Sequence, residues 1–351
     1  MPRRFSFRKN NKTGFLTALF CILLFLPITG YADDLDNWNL RSQPLPDSVL
    51  RSVAYGNDTF VVVGAEGVIL TSPYGDTWTQ RASGTDYSLL EVCYGNNIFV
   101  AVGGDAVLTS SDGVTWTSNT IDAAISIRSV KYCNGIFIAV GMGVGSAIGG
   151  VAFISSDGIS WTGGETASPA CVLEGVDYGN NTFVAVGNFI VDGDYVFRTS
   201  LDGITWTQIS WPSDKKLTLG DVVFGKKTFI AVGYYYRYTD SMGTIITSTD
   251  GIDWTPRTSN TSSVLHSIAY GSKTFVIVGG EDTILTSTDG VTWTERISGT
   301  NSSFYGIGYG DDTFIAVGTN GVILQSDPVT DTSVPSGGGG GGGCFITMAI
   351  Y

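Results

Sequence analysis

The chain has 351 residues and carries 32 acidic against 19 basic side chains, a net charge of −13. An acidic surface of this kind repels nucleic acid and anionic lipid, and no basic cluster follows the first 12 residues, so nucleic-acid binding is excluded as a reading. Abundant Gly, Tyr, Phe and Trp, with little Lys, Arg and Pro, suit many short strands joined by tight turns.

In chain order, a basic start (Arg3, Arg4, Arg8, Lys9, Lys12) precedes an apolar run from Phe15 to Ile28 and then the small-residue site Gly30–Tyr31–Ala32. This predicts a secretory signal peptide over 1–32 and an exported protein, destined for the periplasm, the cell surface or the extracellular space. A membrane anchor is the alternative, but the run falls short of the roughly 20 residues that a spanning helix needs, so no transmembrane segment is expected after cleavage. Cleavage removes five of the 19 basic residues and none of the 32 acidic ones, leaving a charge of −18. The remaining Cys93, Cys133, Cys171 and Cys344 show no C-x-x-C spacing, which argues against a zinc site. Cys93 and Cys133 occupy nearly matching places in neighbouring repeats and read either as a disulfide, permitted in an exported chain, or as two small buried residues.

From Ser52 onward one motif recurs seven times, loosely x-Val-x-Tyr-Gly-Asn-x-Thr-Phe-Val-Ala-Val-Gly, starting at Ser52, Glu91, Ser129, Gly175, Asp221, Ser267 and Gly306. A period of 38 to 46 residues marks a propeller or solenoid array before any local reading begins. Each repeat reads as four strands. The first surrounds the motif start, with Leu, Ile or Phe two residues before it. The Gly-Asn or Gly-Asp that follows is expected to supply a hairpin turn, because both residues tolerate positive φ. The second strand, Thr-Phe-Val-Ala-Val, is nearly all apolar, as for a strand buried on both faces. The third is the Val68–Ser72 type, and the fourth carries Thr-Trp-Thr with the alternation of an outer strand.

Between the third and fourth strands lies a second signature: Thr-Ser-Ser-Asp-Gly-Val-Thr-Trp at 109–116, with counterparts at 154–161, 199–206, 247–254 and 286–293. Its acids, Asp112, Asp157, Asp202, Asp250 and Asp289, are turn residues able to accept hydrogen bonds from free backbone N–H groups, while the Trp anchors the outer strand by burial. These segments resemble Asp-box (BNR) repeats, with one residue fewer between Asp and Trp. The fuller pattern is similar to propellers of the photosystem II stability-factor type and, more distantly, to sialidase-like propellers. The resemblance covers residues 36–327 and implies an all-β, seven-bladed β-propeller of four-stranded blades. Since such repeats occur in sialidases, sorting receptors and assembly factors alike, it implies no single function.

The seventh repeat has Ser326–Asp327–Pro328 but no Trp. The missing strand is expected at the other end, at Asn37–Arg41, because Trp38 precedes Ser52 by 14 residues, within the 13 to 15 that separate Trp and motif start elsewhere. The N-terminal strand would thus close the ring. The propeller is assigned to 33–330, followed by a polar and Gly-rich linker at 331–343 that contains seven consecutive glycines, and a terminal stub at 344–351. The stub resembles the start of a CFI-box C-terminal segment, and the whole tail is expected to be disordered.

No catalytic residue, metal site or cofactor is predicted. His266 is the sole histidine, and no P-loop, Gly-x-Ser-x-Gly or EF-hand loop occurs. A sialidase would need an arginine cluster, yet Arg41, Arg81, Arg257 and Arg296 follow the Trp at matching positions and read as outer-strand decoration. Two sets of residues are candidates for binding. Repeats 3 to 5 are longer between their second and third strands, which brings Phe189, Asp192, Asp194 and the run Tyr234, Tyr235, Tyr236, Arg237, Tyr238 to one sector of one face, where the loop after the fourth strand of repeat 4 adds Trp211, as stacking surfaces or as a mere extension of the hairpin. The slot just before each motif start varies while its neighbours do not, and at the channel mouth it supplies Arg51, Arg128, Glu174, His266 and Tyr305. The expected role is an exported, non-catalytic binding or scaffold module for a glycan, peptide or protein partner, monomeric by preference. A sialidase-like glycoside hydrolase and a purely structural surface protein are the alternatives.

Overall fold

The computed structural model of the chain describes residues 35–41, 43–121, 125–144, 149–166, 170–190, 195–210, 217–237 and 240–329. The predicted signal peptide, the linker and the terminal stub lie outside them. The described strands form seven four-stranded antiparallel sheets. Six blades are consecutive in the chain, beginning at Leu50, Glu91, Ile125, Cys171, Leu217 and Leu265. The seventh joins Phe304–Gly310, Thr313–Gly318 and Ile323–Ser326 to the N-terminal strand Trp38–Leu40. The fold is a seven-bladed β-propeller, and among the described residues no helix is long and apolar enough to cross a membrane.

Ring closure follows the register Trp38↔Ser326, Asn39↔Gln325 and Leu40↔Leu324. Side chains reinforce it. Asn37 and Asn39 donate to the two carboxylate oxygens of Asp327, Arg41 donates to Gln325, and Arg296 of blade 6 pairs with Asp36. Leu35 and Trp38 are buried in the seam between blades 6 and 7.

The core lies in the seams between blades. Val61, Val63 and Ile69 of blade 1, for example, pack on Leu89, Phe99 and Leu108 of blade 2. Each second strand therefore meets apolar neighbours on both faces, and its Val and Ala side chains are fully buried. Cys93 and Cys133 fall in two different seams, each as a small buried residue.

One expectation is corrected. The glycine after the tyrosine is not the turn residue. Positive φ falls on the next two positions, Asn57–Asp58, Asn96–Asn97, Asn134–Gly135, Asn180–Asn181, Lys226–Lys227, Ser272–Lys273 and Asp311–Asp312, which form the two-residue hairpin turns. The glycine is needed for close approach: a Cβ on Gly95 would stand 2.0 Å from the Tyr132 ring of the following blade, and one on Gly271 would stand 2.1 Å from Tyr309. Each blade thus seats its first-strand aromatic ring on the bare backbone of the blade before it. Blade 3 is the exception and carries Cys133 there.

Candidate functional site

The innermost strands surround the channel and begin on the face that carries the connections between second and third strands. Six of them change register at one position, between Leu50 and Ser52, Ile127 and Ser129, Leu173 and Gly175, Leu219 and Asp221, Leu265 and Ser267, and Phe304 and Gly306. The skipped residues are Arg51, Arg128, Glu174, Gly220, His266 and Tyr305; Leu90 takes the corresponding place in blade 2. The variable slot is therefore a β-bulge. A bulged residue leaves the ladder and its side chain is re-aimed, here at the rim of the channel. That explains the variation: the slot is free of the pairing and seam packing that fix its neighbours.

Three of these side chains converge across blades 1, 7 and 6. The Arg51 guanidinium carbon lies 4.4 Å from the centre of the Tyr305 ring. Tyr305 in turn lies 4.9 Å from the His266 ring. Burial, with the Arg51 charge added, lowers the His266 pKa to about 4, so the imidazole is neutral at pH 7. On the other side of the rim Arg128 and Glu174 occupy adjacent blades. Burial raises the Glu174 carboxyl, and the Arg128 charge opposes that rise. The Nε atoms of Arg51 and Arg128 are buried without a hydrogen-bond partner among the described residues.

One layer deeper the accounting is different. Glu91 pairs with Lys131 at 2.9 Å and accepts the Val130 N–H; Asp221 accepts from Ser267 Oγ and the Ile268 N–H; Asp177 accepts the Phe224 N–H; Ser52 accepts the Val92 N–H. In each backbone contact an acceptor on one blade takes the innermost-strand N–H of the next, so the layer acts as a partial belt that ties blade 1 to 2, 2 to 3, 4 to 5 and 5 to 6. Burial alone would push Lys131 down, but Glu91, Asp221 and Asp177 hold it well above its usual range. Burial raises Asp221, and raises Asp177 to about 6 against the pull of Lys131. About a third of the Lys131 side chain is open to the channel although it lies deep in the ring. In this layer the Ser129 hydroxyl is, among the described residues, the one buried side-chain group without a partner. Sequence reasoning missed the belt, since its members come from different repeats and from two different motif positions.

The other candidates fall as follows. Tyr234 and Tyr235 lie in the strand Thr228–Arg237, which pairs with Asp240–Ser248, so the extra length of blade 5 is a longer hairpin. Neighbours in a strand face opposite ways, so Tyr234 and Tyr235 do not share a patch; the Tyr235 hydroxyl lies 3.3 Å from the Met242 sulfur. Tyr236 and Arg237 continue the same strand, whose register places them opposite Ser241 and Asp240. Phe189 packs in the seam between blades 3 and 4. Trp211, Tyr238, Asp192 and Asp194 lie outside the described residues. Of the two predicted sets, the structure brings together Arg51, Tyr305 and His266 of the mouth.

The turns on the opposite face are occupied by their own backbone. Asp112 Oδ1 accepts from the Val114 and Thr115 N–H groups, Ser110 Oγ accepts from Gly113, and the Trp116 indole donates to the Gly113 carbonyl. The same acceptor pattern recurs at Asp157, Asp202, Asp250 and Asp289. Those N–H groups hold Asp112, Asp202 and Asp289 down at about 2. A carboxylate with a lowered folded-state pKa contributes stability that is complete above its unfolded value, about 3.9, and is lost as pH falls through the folded value. Asp177, raised to about 6, is already protonated in the folded state in this window, while its unfolded counterpart is still taking up protons near about 3.9, so it opposes the fall slightly and does not cause it. The melting temperature is therefore expected to fall between about pH 4 and pH 2. The fall should be smaller in a D112N/D202N/D289N variant, and an equal fall would remove these turns as its cause.

No protein-family model matches the chain, and no curated protein matches it. Solved structures do. YCF48 from Cyanidioschyzon merolae is 17% identical and superposes with a TM-score of 0.63 over 83% of this chain and 98% of its own. The chain shares its fold with YCF48. A structure of YCF48 bound to D1 peptide gives 18% identity and a TM-score of 0.64 over 85% of this chain and 97% of that one. Virginiamycin B lyase from Staphylococcus aureus, at 10% identity, gives 0.67 over 82% and 99%. At these identities the likeness to YCF48 and to the lyase establishes the architecture alone.

Proposed function

We propose that this protein is an exported, non-catalytic recognition propeller that binds a peptide segment of a protein partner at the channel mouth. The observation that carries this reading is the contrast between the two layers. The inner belt pairs its charged groups within the ring, whereas the rim leaves two buried arginine Nε atoms without partners among the described residues, on a rigid scaffold. A site of that kind, polar groups converging beside aromatic faces at a concave opening, is where binding is expected. A solved structure of the same fold is described as bound to a peptide, which supports a peptide as the ligand class. The predicted leader supports export.

A peptide and glycan array probed with the purified protein tests the reading. Peptide hits are expected, and Arg51→Ala with Arg128→Ala should weaken them at least about 10-fold, roughly 1.4 kcal/mol, at an unchanged melting temperature. Hits that survive this change but vanish with Trp211→Ala and Tyr236→Ala would move the site to the taller blades. An array without hits would favour a structural spacer, and turnover of a fluorogenic sialoside would favour a hydrolase.

A further inference from the structure

Within the proposed recognition site, on which this inference rests, the rim side chains differ in how their charge is compensated. Arg128 faces Glu174, which shares its field. Arg51 has an aromatic ring against it and a neutral imidazole beyond that ring. Its Nε is buried and makes no hydrogen bond among the described residues. A guanidinium presents its donors as a planar fork that matches a carboxylate, and the ring stacked on its face holds that fork in one orientation.

The charges below set how deep an anion can go. The belt holds Glu91, Asp177 and Asp221 against Lys131, an excess of acid directly beneath the rim. An anionic group is drawn to the rim by Arg51 and repelled from the layer under it. Glu174 on the far side of the rim disfavours a second negative charge on the same ligand. The chain as a whole is strongly acidic, which adds to the discrimination against polyanions.

We propose that Arg51, held against Tyr305, anchors a single carboxylate of the peptide ligand, with the faces of Tyr305 and His266 receiving the apolar or amide group next to it. The site takes a monoanion and rejects phosphate. His266 makes the proposal readable, because it is the only histidine in the sequence and stands in the site. In untagged full-length protein its ring-proton NMR signals belong to one residue.

The test uses hippurate, a carboxylate joined through an amide to an aromatic ring, with hippuramide and inorganic phosphate as controls. Hippurate should shift the His266 signals saturably and raise the His266 pKa from its lowered value, since a bound carboxylate offsets the Arg51 charge. Hippuramide and phosphate should need at least 10-fold higher concentrations for the same shift. Arg51→Gln should raise the His266 pKa by itself and abolish the hippurate response, whereas Arg51→Lys should keep part of it. Equal binding of hippurate and hippuramide by the unaltered protein would overturn the proposal without recourse to any variant. So would tighter binding of phosphate, or no response to hippurate at 10-fold over the array-derived peptide concentrations. If hippurate fails while array hits still depend on Arg51, the mouth is the site and the carboxylate is wrong. If the hits ignore both arginines, the recognition site itself is wrong.

Discussion

Deletion of residues 35–41 is expected to abolish cooperative unfolding and to cause aggregation. The deletion strips the outer strand from blade 7 and leaves Ile323–Ser326 as a bare edge, with unpaired N–H and C=O groups that template association with other chains. It also removes Leu35 and Trp38 from the last seam, opening a void beside Ile307 and Phe304, and leaves the Asp327 carboxylate without the amide groups of Asn37 and Asn39. Thermal denaturation followed by near-ultraviolet circular dichroism, with light scattering in parallel, gives the answer. A truncated protein that stays monodisperse and melts as sharply as the parent would show that three blade-7 strands suffice.

Gly95→Ala is expected to destabilise the fold by about 1–3 kcal/mol, the usual cost of forcing an atom into a filled core. The backbone angle of Gly95 suits any residue, so the penalty is steric: the new methyl lands 2.0 Å from the first ring atom of Tyr132. Tyr132 is itself packed on Phe137, 4.7 Å between ring centres, and cannot withdraw freely. Gly164→Ala is the control. No atom lies within 4 Å of its would-be Cβ, and its effect should stay within the roughly 0.5 kcal/mol of ordinary surface changes. Urea denaturation of both variants, and of Tyr132→Ala combined with Gly95→Ala, decides the matter. If the double change is no milder than the sum of the single ones, the ring and the glycine do not clash.

The fold was legible because the same solution is written seven times. Each copy need only hint at four strands, and the regular spacing then identifies Trp38 as the strand that blade 7 lacks. The glycine shows where such reading fails. A glycine before Asn or Asp looks the same whether it supplies a left-handed turn or bare backbone under a neighbouring ring, and only the neighbour's position separates the two. Tyr234 and Tyr235 show the converse: neighbouring aromatics read as a surface patch until the pairing with Asp240–Ser248 divides them between two faces of a hairpin. At the mouth, variation in the slot was visible in the sequence, but its cause was not. A bulge is a property of the pairing, and the stack of Arg51, Tyr305 and His266 is assembled from both ends of the chain. The belt of Glu91, Lys131, Asp177 and Asp221 left no linear trace, since each member is an isolated departure from its own repeat.

The pairing of the first strand with the last sets a schedule for biosynthesis. Asn39 and the Asp327 to which it bonds are 288 residues apart. At about 5–20 residues per second the ribosome takes roughly 15–60 seconds to make the stretch between them. Throughout that interval Trp38 has no strand to pair with and the seam that buries it and Leu35 is incomplete, while the six complete blades can already form from local hairpins. The strand Trp38–Leu40 is thus placed only after Ile323–Ser326 has been made, and the ring shuts at that point. Until then the nascent protein presents an unpaired strand and an open seam to its surroundings, and whatever shields them must act on the growing chain for the whole of that wait.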